Sequence, residues 1–463
     1  GADINLLNAW KYTAGDNRVI VAVLDGGVMA NHPDLEANMW VNEAEKSGTA
    51  GVDDDGNGYV DDINGYNFVV DSGAITADAH GTHVAGTISA VNNNGYAVCG
   101  IAGGTGKGDG VKIMSLQSFG NDESCYSHQI AKAFIYAADN GAVIANNSWG
   151  YTPNTYLSDS EYERYDSVLK DAVEYFESNA RLEGVIEGGV AIFAAGNEAA
   201  TAADYPGAYN KYIAVSAMSA DYTATYYTNY GPGVNICAPG GDLTYGTIMG
   251  ISSTSVNLTD GYEYMQGTSM ATPHVSGCAA LALSYALKRG YSFTSDEFRR
   301  LIVTSTHDIN THQTGSKRYF DYDLGGWKNI SLEPYKGKLG GGYIDAHLLL
   351  MQMDSTPCLY IKSGEEATLS LDEYFGDDSE SLTYQGCEVT DEVRDALGIQ
   401  GKPRIENGLL TIQCNKPGTG RIKIYAIIGG ESVGGGNSMG GMVVEREAEL
   451  VVRGVKAENG GWL

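Results

Sequence analysis

The sequence predicts an α/β fold, in which a parallel sheet is covered by helices on both faces, followed by a small all-β sandwich. The run VIVAVL at Val19–Leu24 is apolar throughout, as expected of a strand buried on both faces. Strands predicted at Val111–Leu116 and Val143–Ala145 alternate with a helix at Ile130–Asp139, and such alternation is typical of parallel sheets. The composition changes at Met353, after which the segments are short and β-rich. We therefore place the α/β domain at residues 1–353 and the β-sandwich at residues 354–463.

Length and charge restrict the classes of function. A chain of 463 residues is too long for one hydrophobic core, so two or more domains are expected. Its 29 Lys and Arg against 58 Asp and Glu give a formal net charge of −29, which argues against nucleic acid or an anionic membrane as partner. No apolar run reaches the ~18 residues that a membrane helix needs. The sequence begins at Gly1 without a signal peptide, which predicts a mature or trimmed form of a secreted or cell-surface protein.

Three segments carry residues suited to nucleophilic catalysis. VAVLDGGV places Asp25 at the carboxyl end of the first strand, where open α/β sheets form their sites. HGTHVAGT starts a helix at His80, and GTSMATPHVSG places Ser269 at a sharp entry into another helix. A serine is a poor nucleophile unless a base takes its proton. Alone, each residue is explained by a turn or by packing, but together, in the order Asp, His, Ser, they predict a catalytic triad.

With these motifs and AAGNE, the chain resembles the subtilisin-like serine peptidases, or subtilases, over about Ala9 to Met353. The resemblance implies a subtilisin-like sheet in which Asp25 orients His80, His80 acts as general base and then acid, and Ser269 is the nucleophile. It makes Asn197 of AAGNE a donor to the oxyanion, alongside the backbone N–H of Ser269. His83 and His274 fall outside the catalytic positions and are interpreted as structural. Subtilases are usually made with a signal and an inhibitory pro-segment, neither of which appears in this sequence, and the protein's own pro-segment is expected to act as an inhibitor and chaperone.

The resemblance also implies where a substrate binds. A Ser-x-Gly strand and a loop near Phe119–Asp122 flank the peptide, which adds between them as an extra strand. The walls of the primary specificity pocket are small or apolar, and they are formed by Ser148, Trp149, Gly150, Ala194, Ala195 and Gly196.

Asp204 is the charged residue of that pocket. It precedes Tyr205 and Pro206, which match a subtilase Tyr-Pro-Gly segment, and it falls at the base of the pocket. A carboxylate there predicts broad cleavage with a bias toward Lys or Arg, because it offers a charge-assisted hydrogen bond. The alternative is that Asp204 faces solvent or pairs with Lys211, which would leave an apolar preference.

An acidic insertion between Asp53 and Phe68 has the spacing D-x-D-x-N-G-x-x-D. Alternating oxygen ligands and a glycine at the turn are typical of a calcium loop, so a structural Ca²⁺ is predicted. Asp61 or Asp62 would supply the bidentate contact, and a solvated acidic loop is the alternative. The predicted ligands are Asp53, Asp55, Asn57, Asp61 and the Tyr59 carbonyl. Asp377 and Asp378 are a second pair of candidates, for which a solvated turn is favoured.

Other segments complete the predicted organisation. A long charged helix is predicted at Ser158–Leu182, and a last helix of the first domain within Gly340–Leu350. The stretch TLSLDEYFGDDSESLTY resembles cadherin-like or immunoglobulin-like modules of secreted bacterial enzymes. Seven cysteines leave their connectivity open, with Cys387–Cys414 and Cys99–Cys125 as candidate pairs.

Taken together, the sequence predicts a secreted, calcium-stabilised, monomeric serine endopeptidase of broad specificity. It would hydrolyse protein or peptide substrates through an acyl-enzyme. Two other classes stay open, namely a binding protein with a catalytically dead protease fold, and an esterase or transpeptidase that uses the same triad.

Overall fold

The computed structural model describes residues 2–120, 123–256, 259–321, 325–372, 374, 382–428 and 442–453. The chain divides into two compact units, of which the first runs to Leu349 and the second begins at Leu350. Asp377 and Asp378 lie outside the described residues, as do Asn121 and Asp122 of the predicted substrate loop.

A sheet of nine strands forms the centre of the first unit. Only the edge strand Thr306–His307 is antiparallel to its neighbour among the described pairings, and every other neighbouring pair is parallel. The parallel sheet that the apolar runs predict is therefore confirmed. From one edge to the other, its strands are Thr306–His307, Tyr343–Ile344, Ile236–Pro239, Ile213–Met218, Val190–Ala194, Ile144–Asn147, Ile20–Asp25, Lys112–Gln117 and Gly65–Asn67.

Helices cover both faces of this sheet. Side chains of a strand alternate between the two faces, so strands that are apolar throughout need cover on each face. Ala22 and Leu24 point into a core shared with the helices Ser127–Asp139 and Ser167–Asn179. We call Ala79–Ser89 the histidine helix and Thr268–Arg289 the serine helix; these two pack against each other. The remaining α-helices up to residue 353 are Leu6–Ala9, Glu43–Ser47, Asp159–Tyr165, Ser295–Thr304 and Ala346–Met353. Within the described residues, no helix is long and apolar enough to cross a membrane.

The single long helix predicted at Ser158–Leu182 is wrong. Two helices, Asp159–Tyr165 and Ser167–Asn179, are separated at Asp166, whose φ of −132° and ψ of 39° are not helical. The Asp166 carboxylate is buried and accepts a hydrogen bond from the Tyr151 hydroxyl. This tertiary contact outweighs the helical pattern of the surrounding sequence, and a short strand, Arg181–Leu182, follows.

Smaller strand pairs surround the main sheet. They are Phe119–Gly120 with Glu123–Ser124, Ile251–Thr254 with Tyr262–Met265, Ser316–Asp321 with Gly326–Ser331, and the group Arg181–Leu182, Ile186–Glu187 and Phe293–Thr294.

The second unit is strand-rich, with a four-stranded and a three-stranded sheet. Both sheets contribute to one core that includes Leu359, Leu410 and Leu450. A short helix, Asp391–Leu397, was not predicted. The likeness of this unit to cadherin-like or immunoglobulin-like modules stays a prediction. The strands are Cys358–Lys362, Met442–Arg453, Gly418–Ile428 and Leu382–Glu388 in one sheet, and Glu366–Ser370, Leu409–Cys414 and Ile399–Glu406 in the other.

The structure joins neither candidate cysteine pair. Cys99, Cys125, Cys387 and Cys414 are all present as thiols.

The histidine helix begins in close contact with the end of the strand Ile20–Asp25. Asp78 caps it, accepting hydrogen bonds from the backbone N–H of His80 and of Gly81. A Cβ atom on Gly81 would stand 2.1 Å from the carbonyl oxygen of Gly26, so only glycine permits this approach. The backbones of the motif Asp25-Gly26 and the motif His80-Gly81 are thus in direct contact.

We expect Gly81→Ala to lower the melting temperature by several degrees, because overpacking a backbone contact costs about 1–3 kcal/mol. Helix propensity alone would favour alanine by about 1 kcal/mol, so a net loss identifies the clash. Gly326→Ala is the matched control, since a Cβ atom there meets nothing within 4 Å. Thermal unfolding of the three proteins measures the effect. Equal melting temperatures for the two variants would show that the contact is loose.

Candidate active site

The carboxyl ends of two neighbouring strands bring the predicted residues to one edge of the sheet. Val23 pairs with Asn146, so Asp25 and Ser148, each two residues further on, lie side by side at that edge. Ser148 is bound in turn to Ser269 by two hydrogen bonds. The Ser148 hydroxyl donates to the Ser269 carbonyl at 2.8 Å, and the Ser269 hydroxyl donates to the Ser148 carbonyl at 3.0 Å. The start of the serine helix is thereby held at this edge.

Asp25 and His80 form the closest charged contact of the site. His80 Nδ1 lies 2.6 Å from Asp25 Oδ1, and the Gly26 N–H donates to the same oxygen at 2.7 Å. A carboxylate only accepts, so Nδ1 carries the proton and Nε2 is left as the basic nitrogen. The Asp25 side chain is fully buried, whereas 32% of the His80 side chain is exposed. The buried Asp25 therefore orients the imidazole from one side, and the other side of the ring is accessible to solvent.

The electrostatic environment favours protonation of His80. Burial lowers its pKa, but the Asp25 carboxylate and then Asp78 raise it, and the net pKa of His80 lies above its ordinary value. Burial raises the pKa of the Asp25 carboxyl, and the hydrogen bonds from His80 and Gly26 oppose that effect. An imidazolium at His80 is therefore stabilised by a carboxylate that water does not reach.

Two N–H donors are available beside the Ser269 hydroxyl. The Asn197 Oδ1 atom accepts hydrogen bonds from the Thr268 N–H at 2.8 Å and from the Thr268 hydroxyl at 3.0 Å. These contacts fix the side-chain amide so that its NH₂ group remains for another acceptor. The hydrogen bonds of the described residues include no acceptor for the Ser269 N–H in the first turn of its helix. Both donors can stabilise negative charge on an oxygen close to Ser269.

The Ser269 hydroxyl donates to the Ser148 carbonyl, and the hydrogen bonds of the described residues do not include one from Ser269 to His80. Catalytic hydrogen bonds are often long or misaligned without a substrate.

The two other histidines of the motifs are held by backbone carbonyls. His83 Nε2 lies 2.9 Å from the Ile251 oxygen, and His274 Nδ1 lies 2.8 Å from the Met270 oxygen. Burial lowers the pKa of each to about 4, so both are neutral at pH 7. Neither takes part in the contact between Asp25 and His80.

The predicted pocket residues differ in what they expose. The Trp149 ring is partly buried and packs on Phe193 and Tyr151 against the core. Gly150 is exposed, Gly196 is partly exposed, and Ser148, Ala194 and Ala195 are buried.

Asp204 lies against the walls of this pocket. A Cβ atom on Gly196 would stand 2.2 Å from Asp204 Oδ2, and one on Gly150 would stand 3.6 Å from the Asp204 Cβ atom. Asp204 is only 7% exposed, and Lys211 binds Glu174 at 2.9 Å. The alternatives of a solvent-facing Asp204 or a pair with Lys211 are therefore wrong.

The acidic loop gathers a different set of carboxylates from the predicted one. Oxygen atoms of Glu45, Asp55 and Asp62 all lie within 4.8 Å of one another, and Asn57 donates to Asp55 and Asp62. Of the predicted carboxylates, Asp55 belongs to this group, and so does Asp62, the alternative to Asp61 for the bidentate contact. Asp53 instead accepts from the N–H groups of Gly56, Asn57 and Gly58, and Asp61 accepts from the Gly51 N–H. The Tyr59 ring packs among Tyr66, Phe68 and Tyr136.

Several residues of the site were missed in the sequence. Asp78 had a signal, since an aspartate before a helix is a common cap. Thr268, which holds Asn197, adjoins the serine, but its contact spans 71 positions of the chain. Glu45 lies on a helix ahead of the loop, and its grouping with Asp55 and Asp62 is visible only in the folded chain.

Known proteins are similar to this chain in sequence. The subtilase family model matches residues 16–324, which include Asp25, His80, Asn197 and Ser269. The thermophilic serine proteinase of Bacillus sp. (strain AK1) is 31% identical over 315 residues, which are 68% of this chain and 62% of that protein. The halolysin-like extracellular serine protease Nep of Natrialba magadii is 31% identical over 285 residues, which are 61% of this chain and 43% of that protein.

The fold comparison agrees. A solved structure described as proteases from Pseudoalteromonas arctica PAMC 21717 matches with a TM-score of 0.55 at 25% identity, covering 76% of this chain and 95% of that one. The chain spans less than two thirds of the length of the Bacillus and Natrialba relatives. The family match covers the central sheet from its Ile20–Asp25 strand to the serine helix, and the chain belongs to the subtilase family.

Proposed function

We propose that this chain is a serine endopeptidase that cleaves peptide bonds through an acyl-enzyme. The contact between Asp25 and His80, 2.6 Å long and buried on the aspartate side, carries the proposal. It sets the tautomer of His80 and stabilises the cation that forms when His80 accepts a proton. The relatives named as serine proteases support the same activity.

In the first step, neutral His80 takes the proton of the Ser269 hydroxyl at Nε2. The Ser269 oxygen forms a bond to the carbonyl carbon of the substrate, and the carbonyl electron pair moves onto its oxygen. The Asn197 NH₂ group and the Ser269 N–H donate to that oxyanion. Because Thr268 already holds the Asn197 amide, no reorientation is needed as the charge develops.

In the second step, the His80 imidazolium gives its proton to the leaving nitrogen as the C–N bond breaks. A water molecule then loses a proton to His80 and attacks the acyl carbon. The Ser269 oxygen leaves and regains the proton, which completes hydrolysis.

Substrate binding follows from the exposed edge of the site. We assign the backbone of Ser148, Trp149 and Gly150 to hydrogen bonds with an extended peptide and Ala194–Gly196 to the pocket for the side chain before the scissile bond. Asp204 at the base of that pocket gives broad cleavage a bias toward Lys and Arg.

We further propose that the protein acts as a monomer outside the cytoplasm and that a pro-segment inhibits it. The Natrialba relative described as extracellular supports this location.

The acidic group fits a structural Ca²⁺. Glu45 and Asp62 are buried and Asp55 is exposed, so three carboxylates approach one another with part of their charge removed from water. Such a group needs a counter-charge, and carboxylate oxygens are the ligands that Ca²⁺ takes. Burial raises the pKa of Asp62, and the charge of Asp55 adds to that effect. We propose that Glu45, Asp55 and Asp62 hold the ion and that it stabilises the fold.

We expect His80→Ala to lose nearly all turnover and to keep the fold, since no other group at the site takes the serine proton. In the parent protein, kcat/KM should rise with pH through an apparent pKa above the ordinary value of about 6.5, because Asp25 raises the pKa of His80 and only neutral imidazole is a base. Hydrolysis of a fluorogenic peptide measures both effects. His312→Ala, an exposed histidine, serves as the control. Near-parental activity in a folded His80→Ala protein would reject the assignment.

Chelation of Ca²⁺ should lower the melting temperature, because an ion that binds only the folded state stabilises that state. Asp55→Asn should lower it equally and abolish the response to chelator. Asp53→Asn should keep the response, since Asp53 lies outside the group of three. Thermal unfolding with excess Ca²⁺ and with excess chelator gives the comparison. A melting temperature that chelator leaves unchanged in the parent protein would exclude the site.

A further inference from the structure

A buried lysine fixes one strand pair to the surface of the first unit. The pair is formed by Ser316–Asp321 and Gly326–Ser331, and we call it the arginine hairpin. Lys317 Nζ lies 2.7 Å from Asp242 Oδ2, both side chains are buried, and Nζ also donates to the Ser219 hydroxyl. A two-stranded hairpin is marginally stable by itself in water, and a buried ion pair is costly to separate. The ion pair therefore holds the hairpin in one position.

A second contact joins the hairpin to the segment that enters the serine helix. The Tyr319 ring stacks on the Tyr226 ring, with centroids 4.8 Å apart and planes 8° from parallel. The Tyr226 hydroxyl accepts a hydrogen bond from Gln266 Nε2 at 2.8 Å. Gln266 lies three residues before Ser269. The hairpin is thus a close neighbour of the predicted nucleophile.

The strand order decides on which side of Ser269 the hairpin lies. In the proposed function, the acyl part of a substrate lies between the segments that follow the strands Lys112–Gln117 and Ile144–Asn147. Ser219 and Asp242 follow the second and the third strand beyond Ile144–Asn147 in the other direction. At about 4.8 Å from strand to strand, the hairpin is held about 10–15 Å further along this edge of the sheet. It therefore lies on the side toward which the leaving part of the substrate extends.

The outer face of the hairpin is aromatic and positively charged. Lys317 and Tyr319 face the first unit, so Arg318 and Phe320 face away from it. Trp327 pairs with Phe320 across the hairpin and shares the outer face. The central carbon of the Arg318 guanidinium lies 4.7 Å from the centroid of the Trp327 ring, and 50% of Trp327 is exposed. This face is open to a ligand.

The Arg318 charge is available to such a ligand. Among the described residues, no carboxylate pairs with Arg318, whereas Lys328 binds Asp321 at 2.6 Å and Lys317 binds Asp242. A guanidinium stacked on a ring keeps its N–H groups at its edge, where a carboxylate fits. The chain as a whole carries a net charge of −29, which repels acidic ligands. Arg318 therefore offers them a local positive site on an otherwise unfavourable surface.

We propose that the outer face of the arginine hairpin binds acidic residues of a protein substrate on the leaving side of the scissile bond, and that Arg318 selects them. This inference rests on the proposed peptidase function and names a class of substrate for it. An extended peptide advances about 3.3 Å per residue, so 10–15 Å corresponds to about the third to fifth residue after the scissile bond. Aspartate or glutamate at these positions accepts charge-assisted hydrogen bonds from Arg318, and neighbouring side chains pack on Trp327.

The test compares internally quenched peptides that differ only at the third to fifth residues after the scissile bond, which are Asp in one peptide and Asn in the other. We expect kcat/KM to be about fivefold higher for the Asp peptide, the upper end of what an exposed ion pair contributes. The gain should lie in KM, because the contact is remote from the reacting atoms and equally strong before and during the reaction. A peptide with three Asp residues at the same distance before the scissile bond is the control.

Variants of Arg318 separate its charge from other properties of the chain. Arg318→Gln should make the Asp and Asn peptides equal, and Arg318→Glu should favour a peptide with Lys at the three positions. Both proteins should fold, because the Arg318 side chain is exposed and the hydrogen bond from Tyr245 goes to its backbone carbonyl. Arg164→Gln is the matched control. Arg164 is exposed and its guanidinium lies 5.3 Å from the centroid of the Tyr165 ring, so the variant loses the same charge and a similar stack.

Each outcome bears on the inference. Equal cleavage of the Asp and Asn peptides by the parent protein would overturn it and leave the peptidase function intact. A preference that persists in Arg318→Gln, or that Arg164→Gln also removes, would overturn it as well. A Leu triplet that gains as much as the Asp triplet would show that the face binds apolar side chains instead of carboxylates. Failure to cleave any peptide would contradict the proposed function itself.

Discussion

The burial of the Asp25 carboxylate at the end of a central strand is the constraint on which the site depends. An isolated charge in that position is costly, and His80 Nδ1 and the Gly26 N–H offset the cost. For His80 to reach it, the histidine helix must begin against the strand end, which requires Gly81 next to the Gly26 carbonyl. The two motifs are short and rich in glycine because their backbones touch. The same contact sets the tautomer that leaves Nε2 of His80 as the base.

Carboxyl groups perform three different tasks in this chain, and their neighbours decide which. Asp25 is buried beside a histidine and supports a cation. Asp204 is buried beside the Glu198 carboxyl group, and burial first and then Glu198 raise its pKa, whereas the hydrogen bond from the Asn229 amide lowers it. Asp55 and Asp62 lie beside Glu45 in the group that we propose to hold a cation. The excess of acidic residues is thus informative only after their surroundings are known.

Contiguous motifs made much of the fold and site predictable. The strand before Asp25, the helix at His80 and the AAGNE and GTSMATPHVSG segments each combine a local conformation with a functional residue. The grouping of carboxylates in the acidic loop was predicted less well, because Asp53 accepts hydrogen bonds within the loop while Glu45 enters from a helix upstream. Three features depend on neighbours distant in sequence. They are the break between two helices at Asp166, the hydrogen bonds from Thr268 to Asn197, and the hydrogen bonds that Asn229 donates to both Glu198 and Asp204. No local pattern encodes such contacts.

Covalent reaction with an organophosphonate tests whether Ser269 is an activated nucleophile beside an oxyanion site. After incubation of the purified protein, digestion and mass spectrometry locate the phosphonylated residue. We expect one modified serine, Ser269, and no modification in a folded His80→Ala protein, because the reagent needs both the base and the two N–H donors. An unmodified Ser269, or equal labelling with and without His80, would contradict it.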